Sequence, residues 1–290
     1  MRTGLEIVDT GPLATVQDLG RPGYADVGVG TSGAADRASF RLANRLAGNE
    51  EGRAAVEVTF GGFAARALRD TTIAITGAPC PITVDHRGGA MNSVLRLKTG
   101  SVLRLGSPQT GLRTYLAAHG GFDVEPVLGS RSTDLLSGLG PAPLRRGDIL
   151  PIGRTTGLWS PAGLAPVTPP PADELTLRIT RGPRADWFTE GALKTLVTEP
   201  YSVTSESNRI GIRLSGPVLT RSRLDELPSE GLVLGSLQVP PSGQPTLFLA
   251  DHPVTGGYPV IGVVLSADVD HAAQARPGMR IHFRLQDSHW

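Results

Sequence analysis

The 290-residue sequence lacks the features of several large classes of protein. Its single cysteine, Cys80, excludes a disulfide within the chain and favours a reducing compartment. Its 28 lysine and arginine residues nearly balance 27 acidic residues, so the net charge is +1 and we expect no nucleic-acid partner. The N-terminus has no long apolar segment, and no apolar run reaches membrane-spanning length. These absences predict a soluble, cytoplasmic protein without a membrane partner.

Several motifs of cofactor and metal sites are also missing. No G-x-x-x-x-G-K-[ST] loop is present to bind ATP phosphates, and no G-x-S-x-G motif presents a nucleophilic serine. The only lysines, Lys98 and Lys194, do not lie between methionines, so we predict no covalent biotin on this chain. The six histidines show no metal-ligand spacing, and we predict no metal site. A G-x-G-x-x-G pattern begins at Gly28, but residues 21–26 before it cannot form the buried strand that a dinucleotide site requires.

The sequence has instead many short apolar or β-branched runs, each ending at glycine, proline or aspartate. Its 37 glycines and 24 prolines suit the turns between such runs. Helical periodicity is confined to about 34–47, to 184–197, and to a segment that begins at Ser266 as its N-cap. Strands over 231–239 and 245–250 are joined by a turn at 240–243. Many strands with few helices predict a mainly β fold made of barrels or curved sheets.

A proline-rich segment divides the chain into two modules. Residues 158–174 lack periodicity and contain five prolines, as an extended, semi-rigid linker does. We therefore predict an N-terminal module over 1–157, a linker over 158–174 and a C-terminal module over 175–290. Both modules end with a tight turn before a strand, at 146–150 and 277–281, which suggests two related barrels.

Polar residues gather at strand ends in the C-terminal module. Glu230, Gln238, Asp251 and Tyr258 surround two strands and a Gly-Gly-Tyr-Pro loop that begins at Gly256. Glycine and proline specify the backbone there, while the polar side chains exceed what a simple connection needs. This concentration indicates a functional site.

Three places in the N-terminal module each allow a structural and a functional interpretation. Arg21, three residues after Asp18, either forms a salt bridge with it or binds a carboxylate or phosphate. Ser32 and Asp36 precede a helix, where they either cap it or lie beside a bound anion. Arg131 lies in a hydroxyl-rich loop, 129–134, that either satisfies its own turn or presents donors to a substrate.

Ordered blocks of sequence across nearly the whole chain resemble one family. The blocks are VQDLGRPG at 16–23, SGAAD at 32–36, LGSRST at 128–133, NRIG at 208–211, QVPP at 238–241 and GGYP at 256–259. They resemble the KipA family, also called allophanate hydrolase subunit 2 or the C subunit of bacterial 5-oxoprolinase, and part of the carboxyltransferase domain of urea carboxylase. The chain departs from the family at Ala35, where methionine is usual, at Asn208, where aspartate is usual, and at His252-Pro253, where glutamine and threonine are usual.

The resemblance implies a fold, a reaction and partners. It implies two cyclophilin-like β-barrel subdomains, and a complex with a KipI-like subunit 1 and a LamB/YcsF-like third subunit. The activity it implies is ATP-dependent opening of the 5-oxoproline lactam to glutamate, with ATP bound at the level of the complex. The alternatives are biotin-dependent carboxyl transfer to urea or a related nitrogen, and non-enzymatic regulation through the KipI-like partner.

Both enzymatic alternatives act on an unreactive, amide-like C–N unit, and this chemistry sets the expected roles of the site residues. Acid–base groups would move the proton on nitrogen, and the catalytic candidates are Asp36, Glu230 and Asp251. Fixed donors would stabilise charge on the carbonyl oxygen or bind the substrate. The substrate-binding candidates are Arg21, Ser32, Arg131, Gln238, Gly256, Gly257 and Tyr258.

Overall fold

The computed structural model describes residues 4–155 and 163–286. Residues 158–162 of the predicted linker lie outside the described residues, as do both chain ends. The described chain divides into two compact units. The first runs to Arg21 and continues over Ser32–Asp134 and Gly138–Pro170; the second comprises Pro22–Thr31, Leu135–Ser137 and the chain from Pro171 onward. Two short segments that precede the proline-rich stretch therefore group with the second unit.

The first unit is built from short strands and one helix. Its elements are β1 (Gly4–Thr10), β2 (Leu13–Gln17), α1 (Arg37–Leu46), β3 (Ala55–Thr59), β4 (Phe63–Ala67), β5 (Thr71–Gly77), β6 (Ile82–Val84), β7 (Arg87–Gly89), β8 (Val94–Leu97), β9 (Val102–Leu105), β10 (Arg113–Ala118) and β11 (Ile149–Pro151). The strands form a six-stranded sheet, in the order β11-β1-β4-β9-β6-β7, and a five-stranded sheet, in the order β2-β3-β10-β5-β8. Alternate residues of both sheets, such as Ile7, Phe63, Val56 and Ile75, enclose one apolar core.

Helix α1 packs on the other face of the five-stranded sheet. Its apolar residues at helical spacing, Phe40, Ala43 and Leu46, are buried against Tyr115 and Ala117 of β10. The sheet is therefore covered on both faces, which explains why all six residues of β10 are buried. Polar side chains on this second face of the sheet must find partners beneath the helix.

The second unit contains a closed barrel. Its elements are β12 (Glu174–Arg181), α2 (Glu190–Thr198), β13 (Tyr201–Val203), β14 (Gly211–Ser215), β15 (Glu230–Gly231), β16 (Ser236–Gln238), β17 (Thr246–Phe248), β18 (Thr255–Gly256), β19 (Val260–Val264), α3 (Ser266–Ala272) and β20 (Arg280–Leu285). The barrel order is β12-β19-β16-β17-β14-β13-β20, and a parallel pairing of β20 with β12 closes the ring. The predicted mainly β fold with a few short helices is confirmed, and the first unit encloses its core with two separate sheets.

Strand alternation fills the interior of the barrel. In β12 the residues alternate between exposed and buried positions, and Leu177 points inward with Ile212, Leu237 and Leu247 from other strands. Each of these four leucine and isoleucine side chains is at most 2% exposed. Because side chains occupy the interior of a small barrel packed in this way, binding is left to its outer wall and strand ends.

Three local predictions were wrong in detail. The strand predicted over 231–239 is interrupted by a turn in which Gly235 has φ 87°, and this turn separates β15 from β16. The helix predicted over 184–197 is a 3-10 turn at Ala185–Trp187 followed by α2, because Phe188 is extended and Thr189 caps a new helix. Ser266 is the first residue of α3 and not its N-cap, which is Leu265. Within residues 4–155 and 163–286, no helix is long and apolar enough to span a membrane.

Candidate functional site

The residues predicted to form the site divide between the two units. The first unit holds Arg21, Ser32, Asp36 and Arg131, and the second holds Glu230, Gln238, Asp251, Gly256, Gly257 and Tyr258.

In the first unit, the buried carboxylate of Asp18 binds the hydroxyl-rich loop 129–134. One carboxylate oxygen accepts hydrogen bonds from the hydroxyls of Ser130 and Ser132, both at 2.6 Å. The other accepts from the backbone N–H of Arg131 at 2.6 Å. Because Asp18 is only 8% exposed, these bonds compensate a charge that would otherwise be costly to bury. The serines of the loop therefore have a structural function.

Arg21 is enclosed within the same unit. Its side chain is buried, donates to the carbonyl of Ser132, and lies 4.0 Å from the carboxylate of Asp134. The salt bridge considered between Arg21 and Asp18 is therefore wrong: Asp18 binds the loop, and Asp134 faces Arg21. In this conformation Arg21 ties chain segments together, and its role in substrate binding stays a prediction.

Arg131 borders open space. Its Nε donates to the carbonyl of Val124 at 2.8 Å, and its guanidinium lies 3.4 Å from Asp123. It lines a cavity of about 310 Å³ in the first unit together with Arg53 and Arg154. Arg131 thus remains available for an anionic ligand in a way that Arg21 does not.

Ser32 and Asp36 surround the start of α1. Ser32 is buried with φ 54°, and its hydroxyl donates to the carbonyl of Thr133 at 3.3 Å. Asp36 is the N-cap of α1: it accepts from the N–H of Ser39 at 2.9 Å and from its hydroxyl at 2.6 Å. The capping interpretation of Asp36 therefore describes the structure. The catalytic role of Asp36 and the binding role of Ser32 remain predictions.

A buried polar pair beneath α1, Glu57 and Tyr115, was not predicted from the sequence. Glu57 on β3 accepts from the Tyr115 hydroxyl at 2.8 Å and from the N–H of Ala35 at 3.0 Å. The Tyr115 oxygen accepts from the N–H of Asp36 at 2.8 Å. Burial and the charge of Glu57 raise the pKa of Tyr115 well above its ordinary value, so the phenol is neutral. The available signal was a glutamate inside the apolar run Ala-Val-Glu-Val-Thr.

In the second unit, Asp251 forms a buried ion pair with Arg209. The two carboxylate oxygens accept from Nε and Nη2 of Arg209, both at 2.9 Å. The side chains are at most 1% exposed, and the N–H of Leu135 also donates to Asp251 at 3.1 Å. Parallel bonds of this kind satisfy both buried charges. Asp251 thus has a structural function, and its catalytic role stays a prediction.

Glu230 is held more openly. Both of its carboxylate oxygens accept from Nε of Arg184, at 2.8 and 2.9 Å, and about a third of its side chain is exposed. Hydrogen bonding from Arg184 lowers the pKa of Glu230, so its carboxylate is ionised at neutral pH. Such a group suits a base better than an acid. Its backbone pairs with Gly256 in the two-stranded antiparallel sheet of β15 and β18.

Gln238 and Tyr258 line a cavity of about 250 Å³ on the outer wall of the barrel, which we call the barrel-wall cavity. The Gln238 amide donates to the carbonyl of Tyr258 at 3.1 Å. A Cβ added to Gly256 would lie 2.5 Å from that amide nitrogen, so a larger residue there would displace the Gln238 side chain. Tyr258 is 46% exposed, and the guanidinium of Arg221 lies 5.8 Å from its ring centre.

The barrel-wall cavity is the best candidate site in the second unit. It brings Gln238 and Tyr258 together, with Gly256 and Gly257 in the adjoining loop and Glu230 on the strand paired with Gly256. Its remaining lining residues were not predicted; they are Asn208, Ile210, Gly211, Arg213, Pro240, Thr246 and Phe248. For those that lie on strands, Gly211, Arg213, Thr246 and Phe248, the sequence signal was the outward half of the strand's alternation, which cannot identify a cavity without the strand order.

Dinucleotide and metal sites were also considered in the described chain. The G-x-G-x-x-G pattern at Gly28 follows a 3-10 helix, Ala25–Val27, and not a buried strand. Among residues 4–155 and 163–286, no group of three or more histidine, cysteine, aspartate or glutamate side chains is placed to hold a metal ion.

The chain is similar in sequence to a known domain family and to two bacterial proteins, and similar in structure to part of a solved enzyme. Residues 27–285 match the family described as carboxyltransferase domain, subdomain A and B. The chain is 38% identical to the C subunit of 5-oxoprolinase from Escherichia coli K12, covering 96% of this chain and 90% of that protein. The protein of the same name from Haemophilus influenzae is 33% identical, with the same coverage. The crystal structure of Kluyveromyces lactis urea amidolyase superposes with a TM-score of 0.92 at 30% identity, over 97% of this chain but 18% of that one.

Proposed function

The chain belongs to the family of the carboxyltransferase domain, subdomains A and B. We propose that it is a subunit of an ATP-dependent 5-oxoprolinase. The observation that carries the proposal is a sequence match to two bacterial proteins named as the C subunit of 5-oxoprolinase. Each match covers nearly the full length of this chain and of the relative. The reaction is hydrolysis of an amide bond within a five-membered ring, with glutamate as the product.

The chemistry explains why ATP is needed. The ring C–N bond breaks, the carbonyl carbon gains an oxygen from water, and the nitrogen gains a proton. An amide carbonyl is a poor electrophile, so transfer of a phosphoryl group from ATP to its oxygen, with release of ADP, activates the carbonyl carbon. Water adds to that carbon, the protonated ring nitrogen departs, and a second water releases phosphate from the resulting acyl phosphate to give glutamate. We place ATP at the level of the complex, because the sequence contains no phosphate-binding loop of the G-x-x-x-x-G-K-[ST] type.

We propose the barrel-wall cavity as the site where this chain binds the lactam. The oriented amide of Gln238 and the Tyr258 hydroxyl, which line the cavity, are the donor candidates for the carbonyl oxygen, and the backbone of Gly256 and Gly257 next to Tyr258 in the chain is a further candidate. The carboxylate of Glu230, on the strand paired with Gly256, is the base candidate because it is ionised; the hydrogen bonds from Arg184 that lower its pKa also make it a weak base. Of the binding candidates in the first unit, Arg131 is the one that borders a cavity, whereas Arg21 and Ser32 are buried.

The partners and compartment belong to the same proposal. Relatives that are themselves named as one subunit of an enzyme imply further subunits, and we propose a KipI-like subunit 1 and a LamB/YcsF-like third subunit as those partners. We also propose a cytoplasmic location, which the single buried thiol of Cys80 supports, since reduced cysteines are typical of that compartment.

The decisive experiment measures glutamate formed from 5-oxoproline by the chain co-expressed with both partner subunits, with and without ATP. We expect ATP-dependent glutamate that disappears when this chain is omitted. Gln238→Ala should lower kcat/KM by about 100-fold, as loss of one fixed donor does, while Gln109→Ala, an exposed glutamine of the first unit, should not. A stably assembled complex that forms no glutamate would overturn the proposal.

Biotin-dependent carboxyl transfer is the second candidate function. The close superposition on urea amidolyase and the family's description both favour it. Because the two lysines lack the context of an attachment site, biotin would have to arrive on another chain. Carboxybiotin-dependent consumption of urea by the complex, without glutamate formation, would select this function; assembly without either activity would favour a regulatory role.

A further inference from the structure

The barrel-wall cavity contains a row of three polar side chains that runs across three neighbouring strands. Strand register places Arg213 of β14 opposite Thr246 of β17, and Thr246 opposite Gln238 of β16. All three residues line the cavity. Their neighbours Ile212, Leu214, Leu237 and Leu247 are buried in the barrel core, so alternation turns the row to the outer wall.

The next row forms an apolar surface beside these polar groups. Gly211 pairs with Phe248, and a Cβ on Gly211 would lie 3.0 Å from Thr246 and 3.5 Å from the Phe248 ring. The absence of a side chain at 211 therefore keeps the face of the cavity open beside Phe248. A flat ring fits such a surface, and at about 250 Å³ the cavity is smaller than the ~300–1,000 Å³ of sites for drug-sized ligands.

The cavity is lined by a single charged side chain among the described residues, and its charge is positive. Among its lining residues in the described chain, Arg213 is the only one with a formal charge. Its acidic partner Glu206 is 3.7 Å away, and both side chains are more than half exposed. An exposed pair at that distance is weak, so the guanidinium can exchange it for a ligand carboxylate.

From this row we propose that the cavity selects a small cyclic amide that carries a carboxylate, with Arg213 binding the carboxylate and Gln238 binding the amide. Two strand spacings separate these residues, roughly 10 Å between Cα atoms, and both side chains line the cavity. In 5-oxoproline the carboxylate and the carbonyl lie on opposite sides of the ring nitrogen, which matches a site with a cation at one end and an amide at the other. Urea, which is neutral and lacks a ring, offers a carbonyl to the amide end but has no carboxylate for Arg213. The inference rests on the proposed function and names the feature of the substrate that is recognised.

The test compares Arg213→Gln with a matched control, Arg284→Gln, in the assembled complex. Arg284 is also an exposed barrel arginine, but it lies on β20 and does not line the cavity. We expect Arg213→Gln to raise the KM for 5-oxoproline roughly 10- to 100-fold with little change in kcat, because the lost bond holds substrate and transition state alike. Arg213→Lys should recover part of the loss, and Arg284→Gln should resemble the wild type.

A direct titration of the same complexes separates this inference from the proposed function. 5-Oxoproline should bind the wild type and the Arg284→Gln control, but bind Arg213→Gln more weakly by the same factor as the change in KM. The uncharged analogue 2-pyrrolidinone should bind all three complexes equally. If the wild type binds 5-oxoproline more tightly than Arg213→Gln but makes no glutamate, the proposed function fails while the recognition by Arg213 stands. Equal binding of 5-oxoproline to Arg213→Gln and the control, or no binding to the wild type, overturns the inference.

Discussion

At the scale of single residues, Asp251 was predicted to be catalytic, but in the structure it forms a buried ion pair that stabilises the fold. Replacing it by asparagine leaves the buried guanidinium of Arg209 facing a neutral amide. We expect Asp251→Asn to lower the free energy of unfolding by about 3–5 kcal/mol, measured by urea denaturation. A double variant, Arg209→Met with Asp251→Leu, should recover most of that loss because the buried charges of the pair are both removed. An Asp251→Asn protein that keeps wild-type stability yet loses glutamate formation would instead establish the catalytic role.

Tyr201 leads to a prediction about alkaline pH. Burial raises the pKa of Tyr201 to about 12, from an ordinary value near 10. The folded state therefore favours the neutral phenol, which donates to the carbonyl of Pro217 at 3.0 Å. This contribution to stability is complete below pH ~10 and is lost as the pH rises through about 12. The difference in unfolding free energy between the wild type and Tyr201→Phe should change over that interval and stay constant below it.

At the scale of secondary-structure elements, the cap of α1 separates two roles of Asp36. Asp36→Ala removes the acceptor for Ser39 and should cost about 1 kcal/mol of stability, measured as a shift in the urea midpoint. Asp36→Asn keeps a good capping residue, so its loss of stability should be at most about half that of Asp36→Ala.

The asparagine variant then decides the catalytic question for Asp36. If it is stable and forms glutamate at the wild-type rate, the capping function is sufficient to explain the residue. A stable Asp36→Asn complex with little turnover would require the carboxylate itself and would support the predicted acid–base role.

At the scale of the whole molecule, the two units have separate apolar cores. Destabilising one core at a time therefore tests the predicted division at the 158–174 segment. Leu237 belongs to the core of the barrel and Ile75 to the core between the two sheets of the first unit. Leu237→Ala should destabilise its own unit by about 2–5 kcal/mol. Hydrogen exchange should accelerate in strands β12–β20 and remain slow in β5 and β10.

The matched variant, Ile75→Ala, should show the reverse pattern of exchange. Uniform acceleration throughout the chain in both variants would mean that the molecule unfolds as one cooperative unit, and the predicted module boundaries would then have no meaning for stability.

Much of the fold was already present in local sequence patterns. Apolar alternation and turn residues are short-range properties, so they predicted most strands, the turn at 240–243 and the mainly β fold. They were insufficient where one residue changed the backbone, as at Gly235, whose left-handed conformation divides a single apolar run into two strands. Apolar periodicity located α1, and Asp36 before it was a predictable N-cap because aspartate is preferred at that position.

Family, class of fold and the polar residues at strand ends could all be read from the sequence, because each depends on residues close together in the chain. Which of those polar residues are buried with partners, and which border a cavity, depends on contacts between distant segments. Asp18 and Ser132 are 114 residues apart, and Arg209 and Asp251 are 42 apart, so no local pattern could reveal their bonds. The row of Arg213, Thr246 and Gln238 depends in the same way on strand order and register, because long-range pairing places three separate stretches of chain on one wall.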